Sequence, residues 1–170
     1  AVIHFQIFYF ICEFLSGMRT FGLFPRLGEA TLDIVPNDYV GAAIVAASCN
    51  PDTSGSIFHL CSGPERALRL IELRETVRTI FRNGGLMGWT PKIDFTRENF
   101  MRVMRGVASF LPERERRAVN TLPIYLDYLA GIQQFGNDAT RRRLTTLGVA
   151  TPDNAQVLRN VLDYYVKSKR

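Results

Sequence analysis

Between Leu32 and Ala47 the chain switches its period within a few residues, and this constrains the fold more than any other stretch. Leu32-Asp33-Ile34-Val35 closes a short apolar strand, expected over Thr31 to Val35. Pro36 ends it because proline cannot donate to a ladder. Asn37 or Asp38 can then accept a hydrogen bond from a free N–H at the start of a helix. Asp38 also sets a negative charge at the positive end of the helix dipole. The helix is predicted to reach about Ser48, and Ala42, Ala43, Ala46 and Ala47 would let it lie close to a sheet. Asn50 to Gly55 reads as a turn. A second strand is expected over Ser56 to Gly63, its apolar residues consistent with burial on both faces. A second helix follows over Leu68 to Arg82, with Leu70, Leu73, Val77, Ile80 and Phe81 at helical spacing and Arg and Glu on the other face. Strand, turn, helix, strand, helix is the order of a doubly wound α/β fold. Two strands do not make a stable sheet alone, so the remaining strands are expected from elsewhere.

On either side the patterns differ. A first helix is predicted from about Ile3 to Arg19, and Phe21 to Gly28 reads as a loop because of its Gly and Pro. Asn83-Gly84-Gly85 terminates the 68–82 helix. From Gly88 the chain turns mainly helical. Trp89 to Phe95 reads as a short extended piece, followed by helices over Arg97–Phe110, Pro112–Leu129, Asp138–Leu147 and Asn154–Lys167. The expected division is therefore residues 1–87, strands and helices of the α/β part, and 88–170, a helical cap.

Composition excludes several classes. With 46% hydrophobic and 22% charged residues, the 170-residue chain is an ordinary globular one rather than a disordered one. Its net charge of +5 is spread over the helices, a pattern that argues against nucleic acid as a partner. Cys12, Cys49 and Cys61 form no close pair, which fits a reducing, cytoplasmic setting. His59 and Cys61 fall on one strand face, but two ligands without a third make no metal site. His4, Gln6 and Glu13 interrupt the apolar start, so no membrane span is expected.

The chemistry-bearing patterns are sparse. A dinucleotide cradle needs a glycine-rich turn between strand and helix, and the sequence has none. Tyr165 and Lys169 have the spacing of a reductase proton-donor pair, but they lie at the extreme C-terminus with no preceding strand and no following helix to hold them, and read as coincidence. Ser62-Gly63 lacks the G-x-S-x-G context of a nucleophile elbow. Glu113 and Glu115 sit among arginines as a charged helical face, and Asp33 and Asp38 are read as structural. Phe5, Phe8, Phe10, Phe14, Phe21 and Phe24 crowd the first 24 residues, as a core or as the wall of an acyl channel.

Asp33-Ile34-Val35-Pro36-Asn37-Asp38-Tyr39-Val40 and Phe58-His59-Leu60-Cys61-Ser62-Gly63 resemble the "DIVPVDYV" and "YHVCSG" segments of thioester and fatty acyl-CoA reductases, which are extended short-chain dehydrogenases. Phe135-Gly136-Asn137 and the turn Gly148-Val149 with Pro152 are similar to later landmarks of that family, an "FDN" step that opens a short helix and a "GI…P" turn, although Gly136 stands where the family usually has Asp. The resemblance implies the C-terminal part of a Rossmann-like fold with a helical cap. It implies a parent that reduces carrier- or CoA-bound acyl thioesters with NADPH to aldehyde or alcohol. The glycine fingerprint and the catalytic Tyr and Lys of the family lie upstream of the matched segment. The chain's partners would then be that nucleotide-binding half and an acyl carrier protein or CoA thioester. No catalytic or cofactor-binding residue is assigned in this chain, which alone is expected to bind NADPH very weakly. Phe24, Pro25 and Arg26 would border the substrate cleft. The alternative is a non-catalytic interaction module derived from the same fold.

Overall fold

The computed structural model describes residues 7–110, 113, 116, 117, 119 and 135–169. Its elements are α1 (Ile7–Ser16), β1 (Leu23–Pro25), β2 (Thr31–Leu32), α2 (Asn37–Ser48), β3 (Leu68–Arg69), α3 (Leu70–Asn83), β4 (Ile93–Phe95), α4 (Arg97–Ala108), α5 (Asp138–Thr146) and α6 (Asn154–Lys169), with a 3₁₀ turn at Pro51–Thr53. The chain is thus mixed α/β. It forms two compact units, each drawing on residues from either side of position 87.

The first unit comprises residues 1–30, 69–131 and 162–170. Within it α1 packs on α3, and β1 pairs with β4 in parallel, with Leu23 opposite Ile93, Phe24 opposite Asp94 and Pro25 opposite Phe95. Leu15, Phe24, Leu70, Leu73, Val77, Phe81, Phe100 and Met104 are fully buried and make its core. The aromatic rings interlock: Phe14 meets Phe100 edge-on at 6.1 Å, and Tyr165 stacks on both Tyr9 and Phe81. α3 ends as its glycines require. The Leu86 N–H reaches back to Phe81 and the Gly85 N–H to Arg82, with Gly85 in the left-handed conformation at φ +74°.

Here the sequence expectation needs two corrections. The stretch Phe21 to Gly28 contains a strand, and Pro25 is tolerated at its end because ladder bonds on either side run from the Ile93 N–H to Gly22 and from the Arg26 N–H to Phe95. The buried face of α3 is also not purely apolar, since Arg74 and Arg78 lie on it beside Leu70, Leu73, Val77 and Phe81.

The second unit comprises residues 31–68 and 132–161. Its core is small: Tyr39 and Ala43 from α2 with Leu144 and Val149, flanked by half-buried Val35, Ala46, Phe58, Leu60 and Leu147. The Asp38 carboxylate accepts the free Tyr39 N–H at 2.8 Å in the first turn of α2, as expected, although Pro36 is the capping residue.

The expected strands are largely absent here. Of Thr31–Val35 only Thr31–Leu32 joins a ladder, pairing with β3. Ser56–Leu60 has no regular structure, and Ile57 is 85% exposed rather than buried. Its alternation survives: Phe58 and Leu60 turn to the core while Ile57 and His59 face out. A strand needs partners on its edges, and the described residues supply none for this one. The predicted helix over Pro112–Leu129 lies outside the described residues except for 113, 116, 117 and 119.

Candidate functional site

The motif segments converge on a polar clasp in the second unit. Asp33, just after β2, accepts hydrogen bonds on one carboxylate oxygen from both the backbone N–H and the hydroxyl of Ser62, each at 2.7 Å. The same hydroxyl lies 2.8 Å from the Ile34 carbonyl. Asn137, buried at the start of α5, donates its side-chain amide to the Cys61 carbonyl, and the Cys61 thiol points to the Phe135 carbonyl at 3.3 Å. The His59 N–H is taken by the Thr140 hydroxyl at 3.0 Å. Gly63 adopts φ +83°, and a Cβ there would come within 2.5 Å of the Asn137 side-chain oxygen. Only glycine fits, for the backbone angle and the space alike.

The clasp explains why these residue types stand at these positions, and among the described residues no imidazole base is set against its hydroxyl or thiol. Ser62 is buried with its hydroxyl facing a carboxylate, and no imidazole lies between them. Burial, then the neighbouring Asp33 charge, pushes the Cys61 thiol above its ordinary value, so it is a poor thiolate. Among the described residues no group of three or more metal-ligating side chains comes together.

In the first unit Phe24 is the centre of a second polar cluster. It is 0% exposed, with the Arg74 guanidinium 5.0 Å from its ring centroid and that of Arg78 at 5.5 Å. Arg74 donates to Asp94 at 2.6 Å, and Arg78 donates to the Ser16 and Thr90 carbonyls at 2.8 Å each. Burial, reinforced by Arg82, draws the Arg78 pKa down. The Thr20 and Thr90 hydroxyls and the Arg74 Nε are buried without a hydrogen-bond partner. Of the three residues expected to border a cleft, Phe24 and Pro25 are therefore enclosed in the unit, and Arg26 alone reaches solvent. The Arg26 N–H continues the β1–β4 ladder to Phe95 at 2.9 Å.

Tyr165 and Lys169 do not form a proton-donor pair. The Tyr165 phenol is buried and donates to Glu13, which Arg19 also engages at 2.6 Å. The Lys169 ammonium sits over the Tyr165 ring, 5.4 Å from its centroid, instead of beside the hydroxyl. Burial first, then the Glu13 hydrogen bond, raises the phenol far above its ordinary value. Gly84 and Gly85 end a helix, and the space at Gly63 is filled by the Asn137 side chain.

Sequence reasoning missed Arg74 and Arg78, whose only signal was their place on the apolar stripe of α3. It also missed the reach of Asn137 to Cys61, which no local pattern encodes. No family model, no curated protein and no solved structure matches the chain. Among the described residues no helix is long and apolar enough to cross a membrane.

Proposed function

We propose that this chain is the substrate-binding, C-terminal portion of an NADPH-dependent reductase of acyl thioesters, an extended short-chain dehydrogenase. One observation above the others supports it. In the second unit the helix that the motif predicts is formed while the strand expected after it is not, and each of the two segments leaves apolar side chains uncovered. On α2 these are Ile44 and Val45, 56% and 62% exposed, and beside them lie Gly41 and Ala42, small enough for close approach. On the extended segment it is Ile57. A helix with such a face, beside a segment that has the alternation of a strand but no pairing partner among the described residues, suits the flank of a larger parallel sheet. The partner that would supply that sheet is the nucleotide-binding half of the same reductase.

On this reading NADPH and the catalytic Tyr and Lys belong to that half, where the cofactor supplies the hydride. The present residues complete the fold and shape the acyl side of the cleft. Arg26, exposed at the end of β1, is the remaining candidate from the region that borders it.

The test is reconstitution. The nucleotide-binding half encoded upstream is mixed with this chain, and NADPH oxidation is followed with an acyl-CoA. Activity is expected in the mixture and in neither half alone, and Val45→Asp with Ile57→Asp should abolish it. A gene with no glycine-rich turn and Tyr-x-x-x-Lys pair upstream would end the proposal and favour the interaction module.

A further inference from the structure

The outer face of α4 carries a charged groove that neither the clasp nor the acyl reading uses. Arg97, Glu98, Met101, Arg102 and Arg105 line a space of about 520 Å³. At 100° per residue these five positions occupy an arc of roughly 140°. The adjoining side of the helix buries Phe100, Met104 and Ala108 in the core of the first unit. The helix is thus anchored on one face and, on the face next to it, carries the guanidinium groups of Arg102 and Arg105 and the Glu98 carboxylate beside a half-buried methionine.

Elsewhere in this unit arginines meet carboxylates. Arg19 pairs with Glu13, Arg69 with Glu29 and Glu72, Arg74 with Asp94 and Arg116 with Glu113. The guanidinium groups of Arg102 and Arg105 meet none among the described residues. Arg105, in the last turn, complements the helix dipole, but Arg102 has no such reason to be there. Glu98 stands four residues before Arg102, the favourable order for a helical ion pair, and yet the two do not join. The space is too large for a lone ion and within the range of small-ligand sites. Planar guanidinium forks match phosphate oxygens two at a time, and Met101 offers an apolar surface to whatever carries the phosphate.

We infer that the α4 groove binds the phosphate groups of a small organic ligand, with Arg102 and Arg105 as its principal contacts. The site stands independently of the acyl-thioester reading, because its recognition involves neither thioester nor hydride.

Calorimetric titration of the 170-residue chain with inorganic pyrophosphate, and separately with coenzyme A and with unphosphorylated pantetheine, tests it. Saturable binding of pyrophosphate and coenzyme A is expected, with none of pantetheine. Arg102→Ala with Arg105→Ala should weaken both by roughly tenfold to a hundredfold, the loss expected for charge-assisted hydrogen bonds. Glu98→Gln should tighten them, and raising salt should weaken them. Unfolding melts of each variant serve as the control, and because these side chains are exposed the melts should superimpose on the parent's. Absence of saturable binding, equal binding by the double alanine variant, or binding only to vesicles of anionic phospholipid would each overturn the inference. Pyrophosphate lacks an acyl group, so failure of the reductase reading leaves this result unaffected.

Discussion

The two units bury their residues in opposite manners. The first is built around large side chains at zero exposure, with Phe24, Phe81 and Phe100 from three different elements. The second rests on Tyr39, Ala43, Leu144 and Val149 and is tied together by the hydrogen bonds of Asp33, Ser62 and Asn137. A unit with a full apolar core draws its stability from area removed from water. One with a small core and an exposed apolar helix face depends more on directional contacts. The difference teaches where the chain is held by an apolar core of its own and where it is held by a few directional contacts.

That contrast can be broken most sharply at the cores. Phe81→Ala should cost about 3–5 kcal/mol in urea unfolding, and Leu144→Ala in the second unit should sit near the lower end of the 2–5 range for leucine. Equal losses would erase the distinction.

Next comes the clasp. Asp33→Ala leaves the buried Ser62 hydroxyl and N–H with one acceptor fewer, a loss of about 1–3 kcal/mol. Amide exchange should speed up at residues 61–63 and not in α3. Acceleration in α3 would show that the clasp supports the first unit as well.

Tyr165 probes the first unit by pH. Its folded pKa lies above the ordinary 10.0, so the unfolded phenol ionises first as the solution becomes alkaline. The stability it contributes is full below pH 10.0 and is lost as pH rises from there through the folded value. Tyr9 and Tyr39, also raised by burial, act with the same sign. Tyr165→Phe should therefore reduce, without abolishing, the alkaline fall in unfolding free energy. An unchanged slope would mean that the phenol is not held as described.

The smallest effect is expected at Val45→Ser, within about 0.5 kcal/mol for the isolated chain because the side chain is exposed. A large loss would show that α2 is already covered.

Much of this was legible from local signals. The helices α2, α3, α4, α5 and α6 lie within a few residues of their predicted bounds because apolar spacing, Asp38 and Gly84-Gly85 act over one or two turns. What escaped was non-local. Leu23–Pro25 becomes a strand only because Ile93–Phe95 lies beside it, and no window around Pro25 contains that information. Ser56–Gly63 has the composition of a strand, but a ladder requires neighbours. The clasp followed the same rule: Asp33 and Asp38 could be read as structural, whereas the link from Asn137 to Cys61 could not be read at all. Arg74 and Arg78 were misplaced because a charge on the apolar stripe is buried only where carbonyls and a carboxylate await it.

The parallel pairing of β1 with β4 also sets an order in time. Its two three-residue strands are separated by about 70 residues, and closing so long a loop costs entropy that such a short ladder cannot repay by itself. Leu23 must therefore wait until α3 has docked and brought Ile93 within reach. During synthesis the first strand emerges from the ribosome long before its mate exists. The β1–β4 ladder is thus among the last contacts to form in the first unit, and its amide protection would mark the moment at which that unit becomes native.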